Sequence, residues 1–149
     1  MNKLKDGIRI FLPIILGSMI GYLIKDSIDY NILNQPPLSP SSAAFPIAWS
    51  ILYLVIGISY CIYRKKYNEK KTIILYYVGL FFNLLWPLLF FMFKLRFISI
   101  IWIIILLLLT IKLFINYKRE NKISAYLLIP YIIWLIYATY LNIGIVVLN

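Results

Sequence analysis

The sequence predicts an all-α integral membrane protein: a bundle of five transmembrane helices in a single domain over residues 1–149, with a long first loop acting as a lid. Three observations predict it. Long charge-free runs recur along the chain. The residues are 63% hydrophobic and only 13% charged, about half the charge expected of a soluble domain. The mean hydropathy is +0.89. About 20 apolar residues carry a helix across the hydrocarbon, and because the runs are continuous rather than alternating, transmembrane strands do not fit.

The first span, about residues 8–27, holds fifteen uncharged residues between Arg9 and Lys25. Lys3, Lys5 and Arg9 ahead of it look like the start of a signal peptide. No small-x-small cleavage site follows, and "KDSID" comes straight after, so it reads as a retained helix. Gly17 and Gly21, four apart in "GSMIG", make a close-packing pattern for the bundle interior or a dimer seam. The first loop, "KDSIDYNILNQPPLSPSSAA", covers residues 25–44, and Pro36, Pro37 and Pro40 with three serines exclude regular helix after Asn34. A loop of this length in so compact a chain serves as a lid or a tether.

The second span, about 45–63, opens with Phe45 and Pro46, a position where the helix has no use for the missing donor. The third, about 72–93, contains Pro87, which removes a backbone donor, kinks the helix and leaves a carbonyl for a neighbour or water. The fourth, about 97–117, is long enough once Lys112 snorkels toward water; the face of Trp102 in its middle is not assigned by spacing. The fifth, about 123–147, is bent by Pro130. Short later connections predict antiparallel neighbours for consecutive helices.

Formal net charge is +10. With five spans, twelve of the fifteen basic residues share one side with the N-terminus and three (Lys25, Lys94 and Arg96) lie on the other. The positive-inside rule then puts the N-terminus in the cytoplasm and the C-terminus outside. The basic loops read as topology signals touching anionic lipid, not as a nucleic-acid surface. Cys61 is single and within a span, an inert small hydrophobe. There is no histidine, and no charged residue stands mid-span. Ion pumping, proton coupling, metal or haem ligation and the familiar acid–base or nucleophilic constellations therefore lack their residues, and neither a cofactor nor a metal is expected.

What remains is aromatic and amide chemistry on three helical faces. Trp49 and Tyr53 lie four apart in "FPIAWSILY". Asn83, Trp86 and Phe90 share a face of "FNLLWPLLFF". Tyr131, Trp134, Ala138 and Asn142 share one in "PYIIWLIYATYLN". Each residue alone is more readily a helix contact or part of the interfacial belt. Together with the loop, the three stripes describe an apolar pocket with a few placed donors, suited to a flat hydrophobic ligand.

Those segments resemble the translocator protein family, also called tryptophan-rich sensory proteins or peripheral benzodiazepine receptors. The resemblance runs from about residue 10 to Asn149. It rests on F-P-x-x-W-x-x-L-Y in the second span, N-x-x-W-x-x-x-F-F in the third and P-Y-x-x-W-x-x-x-A-x-x-L-N in the fifth. It implies a five-helix bundle, often a homodimer, with a pocket closed by the first loop. It also implies a membrane receptor or sensor that binds porphyrins such as protoporphyrin IX, and isoquinoline-carboxamide or benzodiazepine ligands. Light-dependent protoporphyrin degradation, attributed to some bacterial members, would use Trp49 and Trp134. Tyr53, Asn83, Trp86, Ala138 and Asn142 fall at other pocket positions of the family. Passive tetrapyrrole transport is a third reading; active transport lacks a coupling-ion site and repeat symmetry.

Two departures stand out. Family members often carry tryptophans in a "KPxWxPPxW"-like first loop, whereas Pro37, Leu38 and Ala43 occupy those places in "QPPLSPSSA". The tail "IGIVVLN" has no Lys or Arg, so the weak cholesterol motif is absent and sterol binding is not carried over. Ile- and Lys-rich, Ala-poor usage points to a bacterial source and a bacterial cell membrane.

Overall fold

The computed structural model describes residues 2–149, and every regular element among them is helical. The helices are α1 (Lys3–Ile24), α2 (Ala44–Arg64), α3 (Lys70–Pro87), α4 (Arg96–Glu120), α5 (Lys122–Leu127) and α6 (Ile129–Leu148). Five segments are long and apolar enough to cross a membrane, the fifth being α5 and α6 together. The chain is an integral membrane protein whose immediate partner is the lipid bilayer.

Helix α1 begins at Lys3 rather than near residue 8. Asn2 caps it, its Oδ1 accepting from the Leu4 N–H at 3.1 Å, and Asp6 in the first turn complements the helix dipole. Hydropathy alone could not see a polar first turn that capping supports. Where Pro87 was expected to kink the third span, the helix widens into a π-helical turn over Leu88–Met92, with the Phe93 N–H reaching the Leu88 carbonyl at 2.9 Å. In the fifth span the break falls at Leu128, and Pro130 sits in the first turn of α6, where its fixed φ favours a new helix start.

The helices close into a ring. Helix α1 packs on α2 and α3, α3 on α4, α4 on α5 and α6, and α2 on α5 and α6. Consecutive spans are therefore not neighbours throughout: α1 packs against both α2 and α3, which meet each other across the interior through side chains. Near the basic end, Tyr60 and Tyr76 stack with centroids 3.7 Å apart, and the Ser59 hydroxyl donates to the Ser124 carbonyl at 2.7 Å. We call the opposite end, which carries residues 25–44, the loop end.

Lipid tails are as apolar as leucine, so close backbone approach and hydrogen bonds, not hydrophobic force, hold such helices together. Helix α1 depends on the first of these. A Cβ at Gly57 of α2 would overlap the Ile10 carbonyl oxygen, and one at Gly17 of α1 would overlap the Tyr53 ring. Gly17 is thus an in-bundle contact, whereas Gly21 faces open space. Because the obstacle at Gly57 is backbone, it cannot rotate away. Gly57→Ala should lower thermal stability in detergent, by about 1–3 kcal/mol if it behaves like an overpacked core site. Gly79→Ala meets nothing within 4 Å and should leave stability unchanged or slightly raised. Equal melting of the two variants would refute the close α1–α2 crossing.

Candidate functional site

The centre of the bundle is organised by Asn83. From α2 the Tyr53 hydroxyl donates to Asn83 Oδ1 at 2.7 Å, and Asn83 Nδ2 donates to the Tyr131 hydroxyl of α6 at 2.6 Å. The amide thus joins three helices, all three side chains being buried. Further toward the loop end a second amide repeats the device. The Trp86 indole, which can only donate, gives its N–H to Asn142 Oδ1 at 3.0 Å. The Ser99 hydroxyl of α4 lies 3.0 Å from the same oxygen, and Asn142 Nδ2 reaches the Arg96 carbonyl at 3.3 Å. Phe90 is buried and stacks on Trp86 with centroids 5.2 Å apart.

Trp49 gathers the aromatics of the second and fifth spans. Its ring lies 5.5 Å from Tyr53, 6.5 Å from Tyr131 and 6.2 Å from Trp134, the last nearly perpendicular at 83°. Trp134 also meets Phe45 at 6.1 Å, and its indole nitrogen is buried without a hydrogen-bond partner. Ala138, one turn on in α6, is buried.

Beside this cluster lies a cavity of about 440 Å³ between α1, the start of α2 and the end of α3. Of the nine residues singled out in the sequence, Trp49, Tyr53 and Trp86 line it. Asn83, Phe90, Tyr131, Trp134, Ala138 and Asn142 do not. They form the packed layer behind the wall, where each amide is already engaged by other helices. The facing wall comes from α1, including Ile14, Gly17 and Gly21, and Phe91 adds a ring from beyond Pro87. Spacing could not reveal α1 because it contributes no aromatic there; the Gly17 and Gly21 pair was its only signal. Ser18, Gly21, Pro46 and Ser50 line the cavity and are exposed, so it opens sideways between α1 and α2. Ser99 was also missed, although it stands three residues before Trp102. The Trp102 indole donates to the Phe82 carbonyl at 2.8 Å, in the helix that ends at Pro87.

The first loop is fastened over this end by its own carbonyls. Tyr137 donates to the Leu38 carbonyl at 2.5 Å, Tyr140 to that of Pro37 at 2.6 Å, and Tyr30 to that of Pro40 at 2.9 Å. Asn34 and Asn149 exchange two hydrogen bonds, at 3.0 and 2.8 Å. Leu38 is held at φ 64°, a left-handed conformation costing roughly 1–2 kcal/mol for a residue with a Cβ. Pro36 packs so closely on Gly144 that a Cβ there would come within 2.5 Å of its ring. The loop is also tied to the α3–α4 connection: Lys94 pairs with Asp29 at 2.8 Å and Arg96 pairs with the same carboxylate oxygen. Burial pushes the Asp29 carboxyl up, but the hydrogen bonds and charges of Lys94 and Arg96 outweigh it and hold the group below its ordinary value of 3.8.

Two outcomes follow. Asn83→Leu deprives two buried tyrosine hydroxyls of their partner, so it should destabilise by about 1–3 kcal/mol and more than Tyr53→Phe, as read by thermal unfolding in detergent. Equal losses would mean that the amide is not the hub. A carboxyl depressed on folding stabilises fully above its unfolded pKa and loses that contribution as the pH falls through the folded one. Asp29→Asn should therefore lower stability at neutral pH, and the difference from the parent should shrink once the pH drops below about 3.8; a gap that stays constant with pH would contradict the ion pair.

Comparison with known proteins agrees with this architecture. A family model described as the TspO/MBR family matches residues 9–148. The chain is 29% identical to a tryptophan-rich protein TspO from Archaeoglobus fulgidus, over 100% of this chain and 99% of that one. It is 32% identical to a translocator protein homolog from Schizosaccharomyces pombe, over 93% and 88%. It is 27% identical to a tryptophan-rich sensory protein from Cereibacter sphaeroides, over 82% and 77%.

Proposed function

The chain belongs to the TspO/MBR family of integral membrane proteins, and from that premise we propose that it is a membrane receptor or sensor whose cavity binds porphyrin-type tetrapyrroles and similarly flat hydrophobic ligands. The observation that carries this reading is the cavity itself. Its volume of about 440 Å³ lies in the range of small-molecule sites. Its wall is apolar and aromatic, with Trp49, Tyr53, Trp86 and Phe91 offering rings to a planar ligand. The amides behind it hold the Tyr53 and Trp86 rings in place instead of competing for the ligand. The N-terminus faces the cytoplasm and the lid the far side in this reading, from the twelve-to-three division of basic residues.

Equilibrium quenching of tryptophan fluorescence by protoporphyrin IX, in the dark and in detergent, tests it. Saturable quenching is expected. Trp49→Leu, read on the remaining indoles, should weaken binding roughly 2- to 12-fold, the equivalent of the ~0.5–1.5 kcal/mol of an aromatic contact. Trp134→Phe should matter less, since Trp134 does not line the cavity and lies behind Trp49 and Phe45. No saturable quenching in the parent, or an unchanged affinity in Trp49→Leu, sinks the proposal.

The Trp49–Trp134 contact favours a second reading, light-dependent porphyrin degradation. An indole in the wall can donate an electron to an excited porphyrin, with a second indole 6.2 Å behind it. Loss of the porphyrin's main absorption band under light and oxygen would then slow in Trp49→Leu. Equal bleaching would make the protein a bystander.

A further inference from the structure

The cavity wall carries one charged residue, Lys25, at the loop end of α1. The other two basic residues at this end, Lys94 and Arg96, are both committed to Asp29. Lys25 has no acidic partner among the described residues; Asp26, next to it in the chain, forms no ion pair with it. Its ammonium stands 4.2 Å from the centroid of the Tyr22 ring, which is exposed on the outside of α1. A cation over an exposed ring is weakly held, and the lysine stem is flexible enough to turn its ammonium to the rim. The hydroxyls of Ser18 and Ser42 line the same cavity, and no carboxylate does. An apolar chamber with one uncommitted cation at its mouth fits an amphiphile whose head bears one negative charge.

We propose that Lys25 is the specificity-determining residue of this cavity, selecting ligands with an anionic head group. The apolar body lies against Trp49, Tyr53 and Trp86, and the head is paired with the Lys25 ammonium at the rim. This rests on the reading above that the cavity is the ligand site. A free carboxylic acid and the phosphodiester of an anionic lipid both supply such a charge, and the sideways opening admits either. The competing account is that Lys25 only anchors α1 at the membrane boundary; that role would influence stability and insertion but not the choice between an acid and its ester.

The experiment uses the full chain in uncharged detergent, in the dark. Binding is measured for protoporphyrin IX against its dimethyl ester, and for dansyl-undecanoic acid against its methyl ester. The parent should bind each acid about 3- to 10-fold more tightly than its ester, the scale of one charge-assisted contact at a half-exposed site. Lys25→Met should abolish that preference and leave ester affinity unchanged. Lys25→Arg should restore it, and Lys25→Gln provides a second neutral variant should Lys25→Met fold poorly. Acid preference retained in both neutral variants, or absent from the parent, overturns the proposal. Competition by phosphatidylglycerol in the parent but not in Lys25→Met assigns the head group to lipid; no competition alongside acid preference assigns it to a free acid. If porphyrins fail to bind while the dansyl acid binds in a Lys25-dependent way, the tetrapyrrole reading falls and this one stands. If porphyrin and its ester bind alike, the reverse holds, and if no probe binds, both fall.

Discussion

In hydrocarbon an unpaired amide or hydroxyl costs several kcal/mol, and that penalty fixes where the helices of this bundle can stand. Asn83 offers one acceptor and one donor to its neighbours, and two tyrosines from two other helices take them up. Shifting any of the three helices along its axis would break a buried pair with no water to replace it. Asn142 does the same for the third, fourth and fifth spans through Trp86 and Ser99. The two amides together register every span except the first.

The exception explains where the cavity lies. Neither amide network includes a residue of α1. That helix is held by the tight crossing at Gly57 and Gly17 and by a long Lys65–Asp6 pair at 3.8 Å near the basic end. Past Gly17, toward the loop end, nothing polar draws α1 inward, and the Tyr53 ring against Gly17 acts as a spacer. The helices therefore part where the exposed Gly21 and Ser50 line the opening, and the space they leave is the chamber backed by Trp49 and Trp86. Rigid amides on one side and an untied helix on the other are two aspects of the same allocation of hydrogen bonds.

The spans were legible because a membrane helix declares itself by length and lack of charge. The polar-aromatic stripes were legible because helical spacing puts Tyr131, Trp134, Ala138 and Asn142 on one face whatever that face meets. What spacing could not show was the partner. A stripe of Asn and Trp looks the same whether it faces a ligand or a second stripe, and Asn83 and Asn142 face other side chains. The α1 wall was silent for a related reason: a surface that makes room through Gly17 and Gly21 leaves no chemical signature. Lys25 was visible only as a topological charge, since its place on the rim depends on how α1 diverges from α2. The order of the ring was likewise hidden, because short connections do not reveal that α1 packs between α2 and α3.

The first loop is held down largely through its backbone. One loop ring does enter the bundle, since Tyr30 is buried and meets Phe45 edge-on at 4.9 Å, but around Pro37 and Leu38 the contacts run the other way: tyrosines at 137 and 140 rise from α6 to grip loop carbonyls. Carbonyl acceptors carry no sequence identity, and prolines supply them without donors of their own to satisfy. Asp29, locked to Lys94 and Arg96, pins the opposite edge. A cover tied at both edges to α6 and to the α3–α4 connection cannot lift at one hinge without breaking several bonds at once. The exposed rim of the cavity lies elsewhere, between the one helix free of such ties and its neighbour α2.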